Sequence, residues 1–363
     1  MGLNEKFFKS AAGSSIDPRD YFQPLVYSGN GNSSSGGKQV TGVGFEPDMF
    51  WIKNRTINGE HSAILDVLRN NRGNILYPDL SNTEADFGSS PGFTGTSDGF
   101  NINSGNLNVS GTNNYISWNW KAGGGASSVG SNTDGSINTT DTSVNTAAGF
   151  SISTFTGNAT SGATVGHGLG VAPEFVMVVC RSTAGNWLVY HASNTAAPAT
   201  DYLALEVTGA TADQQNIWND TAPTSSVFSL GNNASVNGNN ATFLAICWHS
   251  VDGFSKFGGY TGNNSANGTF AYTGFRPAWL MIKRTNASGE WDMFDNKRSP
   301  HNLVNVFLKA EASGAEATGT SVVCDFTSNG FKIRGTDSSL NADGAPYIYL
   351  AFAETPFKFS SAR

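Results

Sequence analysis

Charge is scarce in this chain. Asp, Glu, Lys and Arg make up only 13% of its 363 residues, and the balance is mildly acidic, with a net charge of -7. No basic cluster exceeds the isolated pairs Lys283-Arg284 and Lys297-Arg298, which argues against nucleic acid as a partner, since phosphate binding needs a basic footprint. Cysteine is scarcer still. Cys180, Cys247 and Cys324 are too few and too scattered for a disulfide framework or a zinc site. Two of them lie in apolar runs, Val178-Val179-Cys180 and Ala245-Ile246-Cys247-Trp248, where a thiol serves as a small buried hydrophobe. No apolar stretch approaches the roughly 18 to 20 residues of a membrane-spanning helix. The opening Met1-Gly2-Leu3-Asn4-Glu5-Lys6-Phe7-Phe8 lacks the apolar core of a secretory signal, so synthesis in a cytoplasm without conventional export is expected. Helical periodicity is nearly absent as well. Gly, Ser, Thr and Asn abound, so the surface is polar mainly through hydroxyls and amides.

What is present is a pattern stated three times. An aromatic-x-Gly-Asn phrase occurs at Tyr27 to Asn30, Phe155 to Asn158 and Tyr260 to Asn263. Each leads to a Gly-x-x-Pro turn ending at Pro47, Pro173 or Pro277, and the glycine of a polar turn follows 12 positions later, at Gly59, Gly185 and Gly289. An apolar pair then recurs (Phe100 with Ile102, Phe228 with Leu230, Phe331 with Ile333), and a last aromatic-rich run begins at Tyr115, Phe243 or Tyr347. Register kept over about 70 residues means a repeated architecture.

The spacing divides the chain into an N-terminal arm (1–22), a first module (23–121), a flexible linker (122–147), a second module (148–249) and a third (250–363). In the arm, Leu3, Phe7 and Phe8 share a face if Asn4 to Ala11 is helical. Such a segment is either a frayed tail or an arm that orders on a neighbouring subunit. The linker assignment rests on a run of Ser, Thr, Asn, Asp and Gly, and leaves module one more independent than modules two and three. Within each module, short apolar runs such as Met49-Phe50-Trp51-Ile52 follow the proline and precede a polar turn, which is hairpin grammar. In the final runs, Ile116, Trp118 and Trp120 alternate with Tyr115, Ser117 and Asn119, predicting a sheet packed on one side. The expected fold is all-β, three tandem β-sandwich (jelly-roll-like) modules behind a short arm.

The phrases Trp118-Asn119-Trp120-Lys121-Ala122-Gly123, Ser131-Asn132-Thr133-Asp134-Gly135-Ser136, Val165 to Pro173 (VGHGLGVAP), Tyr190-His191-Ala192-Ser193-Asn194-Thr195, Tyr272-Thr273-Gly274-Phe275-Arg276-Pro277 and Tyr347 to Glu354 (YIYLAFAE) are familiar. Through them the chain from residue 26 onward resembles tandem-repeat virion proteins of tailed bacteriophages, notably marine ones, described as tail-fibre-like or as carrying concanavalin-like jelly-roll modules. The resemblance implies a virion structural protein, assembled in the host cytoplasm, that serves host-surface attachment. Capsid decoration or a head-fibre role without host recognition is the alternative, and a polysaccharide-degrading enzyme a distant one. Other virion proteins, met through the N-terminal arm, and a host surface glycan are the implied partners. The expected state is a homotrimer or a pseudo-trimeric monomer.

No enzyme constellation breaks the threefold pattern. The five histidines have no metal-ligand spacing, and no Gly-x-Ser-x-Gly elbow accompanies them. His167 and His191 read as solvated loop residues. Paired acids for glycan cleavage could come from Glu84 with Asp86 or Asp292 with Asp295, but a polar outward face accounts for both pairs. Asn132-Thr133-Asp134-Gly135 faintly resembles a calcium loop but lacks the downstream glutamate. No catalytic residue, metal or cofactor is expected. Trp187 and Trp291 occupy matching columns and are expected in the core. For carbohydrate contact, aromatics that break the pattern are better candidates, and Trp218 beside Asp220, with His191, forms the candidate ligand-binding set, weighed against core or intermodule packing for Trp218.

Overall fold

A computed structural model describes residues 16–31, 37–86, 93–103, 107–108, 113–124 and 130–354; the helix expected at Asn4 to Ala11 lies outside them. Nearly all the regular structure is antiparallel strand, in three copies of one plan. In module one the main sheet runs Phe22–Ser28, Asn114–Trp120, Met49–Asn54, Ala63–Asp66 in spatial order. Module three repeats this with Ser255–Thr261, Pro346–Ala353, Pro277–Arg284, Trp291–Asp295 and then Val306–Lys309. Module two follows suit with Phe150–Thr156, Thr242–Trp248, Phe175–Cys180, Leu188–His191 and Asp201–Ala204. The last strand of each repeat thus pairs beside its first. A smaller sheet covers one face: Lys38–Thr41 beside Gly99–Ile102, Ala163–Gly166 beside Val227–Leu230, and Phe270–Tyr272 beside Gly330–Ile333. The recurring apolar pairs of the sequence lie on the second strand of each of these couples. The fold is all-β sandwich, as expected.

The expectation of sheets packed on one side is overturned. Along Thr242–Trp248, Phe243, Ala245 and Cys247 enter the sandwich core of module two, while Leu244, Ile246 and Trp248 enter a second core shared by all three modules. Likewise Tyr347, Tyr349 and Ala351 face the interior of module three, and Ile348, Leu350 and Phe352 face the shared core. Strands buried on both faces carry near-continuous apolar runs, which explains the unbroken FLAICW and YIYLAF. Module one pays for its polar face differently: Ser117 and Asn119 are fully buried, and the Asn119 amide donates to the Gln23 carbonyl at 2.8 Å.

The shared core also removes the independence expected of module one. Trp120 packs against Phe22 of its own module, Trp248 of module two, and Trp279 and Phe352 of module three, with ring centroids 5.1 to 6.0 Å apart. The three main sheets surround this aromatic centre and close into a ring. Gly185 N–H donates to the Ser81 carbonyl, Gly289 N–H to Thr208 and Gly59 N–H to Ser313, each at 2.9 Å. A second cyclic set joins Glu84 N–H to Arg181, Thr211 to Thr285 and Glu316 to Arg55. The turn glycines 12 positions past each proline therefore mark the intermodule joints. Head-to-tail contacts that close on themselves are the logic of a cyclic trimer, here within one chain.

Part of the segment read as a flexible linker is structured. Thr139–Asn145 is an edge strand paired with Phe150–Thr156, and the Thr142 hydroxyl lies 3.1 Å from that of Ser153. Small hydroxyl side chains satisfy one another on a sheet edge, so a composition that resembles a linker can still form a strand.

The joint between modules three and one is closed without a chain connection. Arg55 forms a bidentate pair with Glu316 at 2.7 and 2.9 Å, Lys53 donates to the Ala312 carbonyl, and Trp118 Nε1 donates to Asp295 at 3.3 Å. Replacing Arg55 with alanine leaves Glu316 partly buried and unpaired, so we expect a loss of ~1–2 kcal/mol in urea unfolding. Unchanged stability would show that the pair does not hold this joint.

Candidate functional site

Strict repetition makes departures from it informative. In the small sheet of module three, Ala271 pairs with Phe331, as Val40 pairs with Phe100 and Val165 with Phe228. These residues point inward, so their chain neighbours point out. The outward positions are Gln39 and Thr41 in module one, Thr164 and Gly166 in module two, and Phe270 and Tyr272 in module three. The two aromatic rings are 44% and 66% exposed. The Phe270 ring lies over Gly330, where a side chain would collide with it.

Next to this face a groove opens, enclosing about 950 Å³ of space continuous with solvent and lined by Arg276, His301, Asn302, Phe326, Thr327 and Ser328. The tip of the Cys324–Thr327 and Gly330–Ile333 hairpin joins the two features. Thr327 and Ser328 line the groove, while the Asn329 carbonyl accepts from Thr273 and Gly274 N–H at 3.0 and 3.1 Å, directly after Tyr272. Asn302 clamps the opposite wall, its amide exchanging two hydrogen bonds with the backbone of Phe326 at 3.0 and 2.9 Å. The Arg276 guanidinium is held by Glu354 and sits 5.9 Å above the Phe326 ring.

Module one builds the matching region differently. Arg72 follows Asp66 by the same interval as His301 follows Asp295, and Arg72 is buried. Its guanidinium donates to the Pro47 carbonyl at 3.0 and 2.7 Å and to Glu46 at 2.9 Å. In module three the matching His301 is exposed, and Phe326 stands at the strand position of Gly95, against which Arg72 packs in module one.

Charge around the site is sparse and mostly matched. Arg276 pairs with Glu354, Arg334 with Asp325 at 3.3 Å, and Lys332 donates to Asn267 at 2.6 Å. Among the described residues no group of three or more His, Cys, Asp or Glu side chains could hold a metal ion. What the arrangement offers a ligand is two exposed rings, an imidazole, hydroxyls and a fixed guanidinium.

The residues singled out from sequence lie elsewhere and are not brought together as a surface site. Trp218 is buried in the module-two sandwich, edge-on to Tyr190 at 6.3 Å, at the end of a helical turn, Gln215–Trp218. It breaks the pattern because it fills space that its own module encloses. Asp220 is exposed just past that turn. His191 is interior: Nδ1 accepts from Ser193 N–H at 3.0 Å, so Nε2 carries the proton and donates to the Tyr349 carbonyl at 3.2 Å. Burial lowers its pKa to about 4, against the opposing pull of the Tyr349 carbonyl. His167 is likewise buried and donates to the Thr224 carbonyl at 3.1 Å. Both histidines are buried and hydrogen-bonded to backbone carbonyls, and neither is solvated.

The acids are accounted for in the same way. Burial pushes the Glu84 carboxyl up, but its bond to Arg181, aided by Arg69 and Asn74, prevails and holds its pKa at about 2. Asp86 lies exposed on a short edge strand. Asp295 is locked to Arg298 at 2.6 Å on one side of its strand, and Asp292 points into the sandwich of module three. Neither pair faces a common substrate. Trp187 and Trp291 are core residues, as expected, and they also bridge modules, donating to the carbonyls of Leu80 and Ala204 at 3.1 and 3.2 Å.

Fold and surface together define an all-β protein of three fused sandwiches, one of which carries a face that departs from the repeat. The chain belongs to the family described as "Domain of unknown function (DUF7483)", whose model matches residues 17–356. No curated protein and no solved structure matches it.

Proposed function

We propose that this protein is a structural component of a bacteriophage virion, tail-fibre-like and non-enzymatic, that serves attachment to the host surface. The closed ring carries the reading. Three modules fused around one aromatic core form a rigid body, and a body of this kind can display a surface outside the cell without disulfides or metals. The phage-like phrases from residue 26 onward add to this, and the asymmetric face of module three supplies a surface suited to recognition. The pseudo-threefold arrangement favours a second reading, capsid decoration, because a ring of three similar modules fits a point where three equivalent subunits meet.

Immunogold labelling of purified particles of the encoding virus tests both. Label at the tail extremity, with adsorption to cells blocked by the purified protein, is the expected outcome. Label over the capsid lattice would favour decoration, and particles without label would overturn both readings.

A further inference from the structure

We infer that the outer face of module three is a subsite for neutral polysaccharide, in which the Tyr272 and Phe270 rings stack on sugar faces and the adjoining groove, through His301 and Ser328, hydrogen-bonds to sugar hydroxyls. This inference rests on the attachment reading and names the ligand class of the same face.

Three observations lead to it. First, both exposed aromatics occupy positions where the other two modules carry Gln39 and Thr41, or Thr164 and Gly166. The architecture does not need rings there, since two of three copies are built without them. Large exposed rings also oppose solubility unless they serve contact. Second, a groove lined by His301 and Ser328 opens at the tip of the hairpin whose Asn329 carbonyl holds the backbone directly after Tyr272. A ligand lying across the rings has a walled polar channel to continue into. Third, the charges near the face are few: Arg276 is matched by Glu354 and Arg334 by Asp325, which leaves the Lys332 ammonium, held by the neutral Asn267 amide. A nucleic acid, an anionic polymer or a strongly charged peptide finds one counter-charge there, short of the basic footprint it needs. A hydroxyl-rich neutral chain meets flat apolar surface and neutral hydrogen-bonding groups, which complement its own alternation of C–H faces and O–H edges.

Affinity electrophoresis of the full chain through gels containing dextran, laminarin or galactomannan, with alginate as the anionic comparison, tests the inference. Retardation by at least one neutral polymer, insensitive to added salt, is expected. Tyr272→Ala and His301→Ala should each weaken it about tenfold, as truncation of a contact residue does. Gln39→Ala, at the matching position of module one, should leave it unchanged. Because Tyr272 is mostly exposed, its variant keeps the fold, and identical circular dichroism spectra would document this. No retardation by any neutral polymer, full retardation of Tyr272→Ala, or salt-sensitive retardation by alginate alone would overturn the inference. The attachment reading stands separately if the protein still blocks adsorption in those cases, and fails if it blocks nothing.

Discussion

Trp120→Ala is expected to destabilise the whole chain by ~3–5 kcal/mol, the range for removing a large aromatic from a packed core. Trp120 is 2% exposed and touches rings from all three modules. The more telling expectation concerns cooperativity. If the central core is common property, calorimetry of the native chain shows a single transition, and the substitution shifts all of it. Three sandwiches with separate cores would instead give a displaced transition for module one and unmoved ones for modules two and three. That second pattern would refute the shared core. The reasoning is that each main sheet loses the cover of one face when its neighbours separate, and a sheet with an uncovered apolar face is not stable in water.

Asp292→Asn is expected to act in the opposite direction. Asp292 stands where module one has Ala63 and module two has Leu188, both members of their sandwich cores. It is 1% exposed, buried within the sandwich of module three. Burial raises its pKa from 3.8 to about 7; Ser339 and Lys309 work against this, and Glu311 and Glu290 add to it. The native state therefore prefers the protonated acid. The associated stability is present in full below the unfolded value near 3.8 and is lost as pH rises to about 7. Above that the native protein carries a buried carboxylate at a cost of up to ~4 kcal/mol. Asparagine avoids the ionisation, so the variant should gain on the native protein as pH rises from 4 to 7 and keep its lead at pH 8. Urea unfolding at pH 5 and pH 8 checks this. An equal difference at both values, or a loss at pH 8, would show that Asp292 does not titrate in this window.

Much of the fold was legible because it is local. The apolar runs such as Phe243 to Trp248, the Gly-x-x-Pro turns ending at Pro47, Pro173 and Pro277, and the hairpin turns are written in adjacent residues. The candidate site was less legible. The rule that informative aromatics break the repeat is sound, yet it led to Trp218, which is enclosed, and passed over Phe270 and Tyr272. Sequence shows that a residue departs from its column, whereas exposure depends on which face of a strand is covered. For Tyr272 the outward direction follows from Ala271 pairing with Phe331. For Trp218 burial follows from the helical turn that folds it back onto Tyr190. His191 misled for a related reason: it ends a strand of its own module and is covered by Tyr349 of the next.

By itself, the sequence determined three copies of an all-strand plan, with their order and spacing, because turn chemistry and strand alternation act between near neighbours. Only the tertiary structure decided that the copies share one aromatic centre, that module one is joined to module three, and that one face of module three stays open. Those outcomes depend on which apolar faces cover one another, and the covering residues, such as Trp120 and Phe352, are brought together from distant parts of the chain.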